Sequence, residues 1–397
     1  MKTYYISPVG EGNGTKSKPF NGSNFDLAID TIKRIHLTSP QTPVKIIILP
    51  GEYWTRGFAP LHNWWVQAHG ATLILKDVGN QGFHSPDNYV VATAYYGKSD
   101  GPVWLDSFRW YGGTIDVNWQ GQSDRQTPSR KFGGIYSQSV ETAIKDIRII
   151  NWGSNGLNVA QSEVFPLFAV TLRREDAKIL IERCTVEKQH QYQGGYATAI
   201  NVVTVQDQWN PGGDVIPWAT SRPTCAVVRN CVVRGIHGHG LGAAWADAVI
   251  FKGNTIEKSK TGFNGDTGNL RDITFDGNRF LACNQGLFIG NASSGQFSRI
   301  SVKGNIFHLT EPWTNHFLVP KRVEFSYGVR LSGLGVSEVS FENNLFMAWP
   351  QLTRLMGRYG VGFCEGAEVI NLSSTDKFAG IPDSLVSDVP FYMEDNE

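Results

Sequence analysis

The strongest constraint on the fold is a phrase that the chain keeps repeating: alternating apolar residues, a turn, usually an Asn, then two more strand-like residues. It reads Ile179-Leu-Ile-Glu-Arg-Cys184-Thr-Val and Ala226-Val-Val-Arg-Asn-Cys231-Val-Val. It returns as Val249-Ile-Phe-Lys-Gly-Asn254-Thr-Ile, Ile273-Thr-Phe-Asp-Gly-Asn278-Arg-Phe, Ile300-Ser-Val-Lys-Gly-Asn305-Ile-Phe and Val339-Ser-Phe-Glu-Asn-Asn344-Leu-Phe. Aligned on the sixth residue, the steps from Cys231 are 23, 24, 27 and 39 residues. Weaker copies sit at Phe108–Ile115 and Ile147–Trp152. A second phrase, Gly-apolar-any-apolar, follows: Gly156-Leu-Asn-Val, Ala199-Ile-Asn-Val, Gly240-Leu-Gly-Ala, Gly262-Phe-Asn-Gly, Gly286-Leu-Phe-Ile and Gly328-Val-Arg-Leu.

Each repeat therefore holds two or three short strands, and period-2 alternation gives every strand one inward and one outward face. So small a unit cannot close its own core, but stacked copies bury their inward residues on one another. The prediction is an all-β solenoid, a single-stranded parallel β-helix. Asn tolerates the left-handed backbone of a tight corner. Asn254, Asn278, Asn305 and Asn344 are accordingly predicted to turn the chain and to bond one another from coil to coil. Cys184 and Cys231 occupy the same slot and are predicted as stacked, buried thiols. The five Cys (184, 225, 231, 283 and 364) show neither CxxC nor metal-type spacing, so no disulfide framework is predicted.

The whole chain, 1–397, reads as one domain. Residues 1–43 supply an opening strand and a capping helix, with Phe25, Ile29, Ile32 and Ile35 on one face and Ser23 or Asn24 as cap. Residues 44–372 form the coils, beginning with the buried strand Val44–Leu49 and carrying loop insertions at 161–176, 204–223 and 310–326. Residues 373–397 read as a polar C-terminal tail. Lys+Arg and Asp+Glu are both 36, and that balance argues against a nucleic-acid partner. No apolar run is long enough for a membrane span, and Met1–Phe20 does not read as a signal peptide.

The opening Tyr4-Tyr-Ile-Ser-Pro-Val-Gly-Glu-Gly-Asn-Gly-Thr, Lys18-Pro-Phe20, the helix and Val44–Tyr53 resemble the start of right-handed parallel β-helix proteins. These include pectate lyases, polygalacturonases and related carbohydrate-active enzymes. Gly112-Gly-Thr-Ile-Asp116 is similar to their common coil phrase. The resemblance implies a right-handed coil, a polysaccharide or oligosaccharide substrate, and an extracellular or periplasmic setting. One scaffold hosts many chemistries, so it does not imply one reaction. Gly238-His239-Gly240 resembles a polygalacturonase motif. The acid pair of those enzymes is missing: Gly195 and Tyr196 stand where paired Asp residues belong, and Asn264-Gly-Asp266 replaces their Arg-any-Lys.

With the inside packed, a site must lie on an outward stripe. The second phrase supplies the row Asn158, Asn201, Gly242, Asn264, Phe288 and Arg330. A lip precedes it: Asn155, His239, Thr261, Gln285 and Tyr327. Short connections predict an open face over coils 240–290, with a groove floor at His239, Asn264 and Asp266. Hydrolysis of a glycosidic bond needs two carboxyl groups. Asp266 and Asp207 are the candidate pair, with Glu163 and Asp247 as substitutes and His239 beside them. Asn201, Asn264, Arg330, Tyr327, Trp209, Trp245, His237 and Glu163 are candidate substrate contacts, since aromatic rings stack on sugars while amides bond hydroxyls. A uronate lyase or epimerase would instead use His239 or Tyr327 as base, with Arg330 or calcium neutralising the carboxylate. No calcium motif is visible, and no metal or other cofactor is predicted. A third reading is a non-catalytic glycan-binding spike or adhesin. A homo-oligomer such as a trimer is compatible with all three.

Overall fold

The alternation in each phrase becomes strands that pair in parallel with the corresponding strands one coil on. The computed structural model describes residues 1–78, 89–93, 104–125, 130–155, 164–172, 174–190, 197–205, 225–265, 268–283, 285–290, 297–309, 326–331, 336–348, 358–363, 377–379 and 383–386. One coil runs through three sheets in turn: Ala246–Lys252 in the first, then the two halves of Thr255–Gly265 in the second and third. The next coil repeats this with Leu270–Asp276, Arg279–Cys283 and Gln285–Ile289. All pairings between coils are parallel, and Arg130–Phe132 makes one short antiparallel contact with Gly153–Asn155. The chain is a single-stranded right-handed parallel β-helix, the coil that the repeat predicts with the hand that the resemblance implies.

The inward rows are apolar from coil to coil. In the first sheet one row runs Ile46, Val66, Trp110, Ile144, Ile181, Val228, Phe251, Phe275, Val302 and Phe341, all buried. In the second, Phe280, Phe307 and Phe346 stack with centroids 5.1 and 4.7 Å apart. Such rows supply the hydrophobic stabilisation that no single coil has. The recurring glycines answer to them. A Cβ at Gly262 would lie 2.2 Å from the Phe280 ring, and one at Gly286 2.3 Å from the Phe307 ring.

The Asn ladder is present. Asn254 Nδ2 donates to Asn278 Oδ1 at 2.9 Å, Asn278 to Asn305 at 3.0 Å, and Asn305 to Asn344 at 3.0 Å. Each Oδ1 also accepts the preceding Asn's backbone N–H, and each Nδ2 also donates to a main-chain carbonyl. The buried amides are thus saturated. The left-handed backbone, however, belongs to the residue before each ladder position: Arg183, Asn230, Gly253, Gly277, Gly304 and Asn343. The expectation that the ladder Asn itself turns the chain is corrected. Three of these positions are Gly, which adopts that conformation without a Cβ clash. Cys184 and Cys231 extend the column, with the Cys184 N–H 3.5 Å from Cys231 Sγ.

The helix spans Phe25–Leu37, capped by Asn24, whose Oδ1 accepts the Leu27 N–H at 3.3 Å. Phe25, Ile29 and Ile32 are buried in the common core, so the helix closes the open end of the stack. Asp26 ties it down, accepting from Thr55 Oγ1 at 2.6 Å and Lys76 Nζ at 3.0 Å. Two expectations need correction. The segment 161–176 is not wholly an insertion, because Leu167–Leu172 is a third-sheet strand between Ile135–Gln138 and Ile200–Val205. Pairing also continues past residue 372, since Lys377–Ala379 and Asp383–Val386 join the second and third sheets.

Candidate functional site

The outer face of the third sheet gathers the predicted residues. Register gives the row Tyr136, Phe168, Asn201, Gly242, Asn264, Phe288, Arg330, one residue per coil. Neighbouring strands lie about 4.8 Å apart, so Asn201 and Asn264 are separated by roughly 10 Å across Gly242. Three residues back along each strand runs the second predicted row: Thr198, His239, Thr261, Gln285, Tyr327. From Asn201 to Arg330, both rows carry the residues expected of them. At the other end Phe168 takes the place given to Asn158, and Asn158 lies outside the described residues. Asn155 belongs to the antiparallel contact with Arg130, not to the lip.

Aromatic residues crowd one end of the face. Tyr136 and Phe168 meet edge to face at 5.0 Å, Phe165 stacks on Phe168 at 4.6 Å, and Tyr89 lies 6.0 Å from Tyr136. Tyr89, Tyr136 and Phe168 join Val170, Val203, Ala244 and Trp245 in a second apolar cluster outside the coil core. At the other end the Arg330 guanidinium lies over the Phe288 ring at 5.0 Å, a cation–π contact. The middle is polar, with Asn201, Asn264, Thr198 and Thr261 all buried. The open face expected over coils 240–290 is therefore corrected, since its polar residues are recessed.

His239 is buried as well, and its N–H donates to the Ala197 carbonyl at 2.6 Å. Burial, with the charge of Lys260 adding to it, pulls the imidazole pKa down to about 3. The ring is neutral at any ordinary pH. It is an uncharged hydrogen-bonding group and a weak base. The strand bulges between Ile236 and His239. His237 is exposed, and its backbone N–H donates to Gln189 Oε1 at 2.8 Å.

Asp247 is fully buried against Arg271, whose Nε donates to Oδ2 at 3.1 Å. Its N–H also donates to Thr204 Oγ1 at 3.2 Å. This carboxylate is committed to an ion pair and is corrected as a substitute catalytic group. Trp245 is half-buried against the second apolar cluster, and a Cβ at Gly268 would lie 2.4 Å from its ring. Asp266, Asp207, Glu163 and Trp209 lie outside the described residues, as does the side chain of Tyr327. Among the described residues, no group of three His, Cys, Asp or Glu side chains is disposed to hold a metal ion. No described helix is long and apolar enough to cross a membrane.

Sequence reasoning misses Lys260, Tyr136 and Phe168. Lys260 sits one residue before Thr261 of the lip, and its proximity to His239 depends on the bulge. The aromatic pair is hidden because its two strands read Gly134-Ile-Tyr-Ser and Pro166-Leu-Phe-Ala, neither of which is the full Gly-apolar-any-apolar phrase.

The comparisons agree with this architecture. Residues 217–373 match the family model for the right handed beta helix region. A mutant of DFA-IIIase from Arthrobacter chlorophenolicus A6 in complex with DFA-III is similar in structure, with a TM-score of 0.52 at 13% identity. The match covers 98% of this chain and 88% of that one. The Streptococcus pneumoniae surface protein and adhesin PfbA has a TM-score of 0.49 at 12% identity, over 95% of this chain and 97% of that one. The Yersinia enterocolitica family 28 exopolygalacturonase has a TM-score of 0.43 at 11% identity, over 98% and 77%. No curated protein matches the sequence. The chain is a right-handed parallel β-helix protein, and at these identities the likeness is one of fold.

Proposed function

We propose that this protein binds a polysaccharide or oligosaccharide along the outer face of the third sheet and cleaves a glycosidic bond in it by carboxylate acid–base hydrolysis. The observation that carries the reading is the row from Tyr136 to Arg330: aromatic rings at one end, recessed amides in the middle, and an aromatic–cation pair at the other end. Aromatic faces and amide groups at regular spacing match the apolar faces and hydroxyls of consecutive sugar rings. Asp266 follows Asn264 by two residues in the chain. With Asp207 it supplies the acid and base in this proposal. Neutral His239 orients a hydroxyl beside them. Its depressed basicity speaks against His239 as the base that a lyase or epimerase needs for a sugar C–H proton, and leaves Tyr327 as the candidate for that role. An extracellular or periplasmic setting belongs to the same reading.

Reducing-end release from a polysaccharide panel tests the proposal. The expectation is release by the wild type and loss of at least a hundredfold in rate for Asp266→Asn and Asp207→Asn. An unsaturated product would indicate elimination, and binding without turnover would support the adhesin reading. Release unchanged in both variants would overturn the acid–base assignment.

A further inference from the structure

We infer that His190 is a further ligand-binding residue, in which the hydrogen-bonded chain Asp116–Asn151–His190 commits the ring Nε2 as a donor and presents Nδ1 as the acceptor for a sugar hydroxyl. The inference rests on the saccharide-binding reading above and adds a contact at the edge where the chain enters the third sheet.

The Asp116 carboxylate accepts the Asn118 N–H through Oδ1 at 2.8 Å and Asn151 Nδ2 through Oδ2 at 2.9 Å. A carboxylate only accepts, so the Asn151 amide turns its Nδ2 toward Asp116 and its Oδ1 the other way. That Oδ1 lies 3.3 Å from His190 Nε2. An amide oxygen also only accepts, so Nε2 carries the proton, and in the neutral ring Nδ1 holds the lone pair. Burial lowers the His190 pKa, with Asp116 opposing it and Lys188 adding to it, so the ring is neutral at about pH 7.5. The ring is partly exposed, and no described residue hydrogen-bonds to its Nδ1.

Backbone conformation does not require an amide at 151. Asn151 is left-handed, with φ 55°, but so are Lys188, Gly235, Lys258 and Ala282, which register places at the same position on the following coils. What Asn provides at 151 is a side chain that joins a carboxylate to an imidazole. The place of the ring also suits a contact. His190 stands four residues after Val186, as His237 stands four after Val233, and those two valines are paired. His190 therefore lies one coil before His237, which precedes His239 of the lip by two residues. Gln189 Oε1, accepting the His237 N–H at 2.8 Å, ties the two coils at this edge.

Long-range ¹H–¹⁵N NMR of the histidine-labelled protein at about pH 7.5 tests this, with the His190 signals assigned by their loss in His190→Phe. Xylan-, inulin- and polygalacturonate-derived oligosaccharides are the probes, and calorimetry measures their affinities. The free wild type should show His190 in the Nε2–H tautomer alone, and a bound oligosaccharide should move its Nδ1 shift. Binding should weaken at least about fivefold in His190→Phe. Asn151→Gly keeps a residue suited to the left-handed backbone, removes the amide and should give a mixture of tautomers. A mixture already present in the wild type overturns the positioning chain. An Nδ1 shift unmoved at saturation, or unchanged binding by His190→Phe, overturns the contact; all three results leave the saccharide reading intact. A wild-type protein that binds none of the panel overturns both readings together.

Discussion

The corner between the first and second sheets and the outer face of the third sheet are built on the same coils but to opposite rules. At the ladder corner each coil repeats its neighbour: a left-handed residue, then Asn or Cys, then the next strand. Every amide of Asn254, Asn278 and Asn305 bonds the coil above and the coil below. On the third-sheet face successive coils differ, and the row changes from aromatic to amide to glycine to cation. Repetition maximises stability, because identical buried groups saturate one another. Variation along an otherwise regular scaffold creates a surface able to discriminate among ligands.

If the ladder is structural, its central member carries the largest effect. Asn278→Ala removes the side-chain partner of the Asn254 N–H and of the Phe251 carbonyl, and takes one of two bonds from Asn254 Nδ2 and Asn305 Oδ1, which keep the Val228 carbonyl and the backbone N–H of residue 278. Each buried orphan costs about 1–3 kcal/mol, so a loss of roughly 4 kcal/mol is expected in urea unfolding. A loss below about 1 kcal/mol would break the contrast between corner and face.

His239 tests the other side through pH. Its pKa is about 3 in the folded protein against 6.5 for the unperturbed group. Above the unperturbed value both folded and unfolded chains hold a neutral ring, and the full stability is present. As pH falls below it, the unfolded chain takes up a proton that the native one refuses, so stability declines until the folded pKa is reached. Between about pH 6.5 and 4.5 this amounts to roughly 2–3 kcal/mol. The window lies above the range in which Asp146, Asp272 and Glu182 lose the stability of their lowered pKa values. His239→Gln should reduce the slope of this part of the profile, as followed by urea midpoints; His36, His190 and His237, whose pKa values burial also lowers, carry the remainder. An unchanged slope would contradict the burial of the ring.

The thiol end of the ladder sharpens the comparison further. Cys231 Sγ makes only long, weak bonds: it accepts the Cys184 N–H at 3.5 Å and lies 3.4 Å from the Arg229 carbonyl and 3.8 Å from that of Ile181. Cys231→Ala should therefore cost about 1–2 kcal/mol, mainly lost packing. That is at most about half the cost at Asn278, and equal costs would mean that the amide bonds add nothing.

The same division explains what was legible in the sequence. The recurring Asn and the alternation around it announce the coil, the ladder, the thiol stack and the register of Asn201, Asn264, Phe288 and Arg330. The helix cap at Asn24 follows from its side-chain chemistry. The strand Leu167–Leu172 is hidden because Pro166 stands where the second phrase has Gly and Gly156-Leu-Asn-Val imitates that phrase earlier in the chain, so the Tyr136–Phe168 end of the face goes unseen. The burial of His239 is equally invisible, since it depends on a bulge and on what packs over the lip. Asp247 reads as a candidate acid because its partner Arg271 lies 24 residues away, on the next coil.

The most direct test of the account is a crystal structure of the protein with a bound oligosaccharide substrate. The account predicts sugar rings crossing the strands of the third sheet between the Tyr136–Phe168 pair and the Phe288–Arg330 pair. A ligand seated on the outer face of the first sheet, away from both pairs, would contradict it.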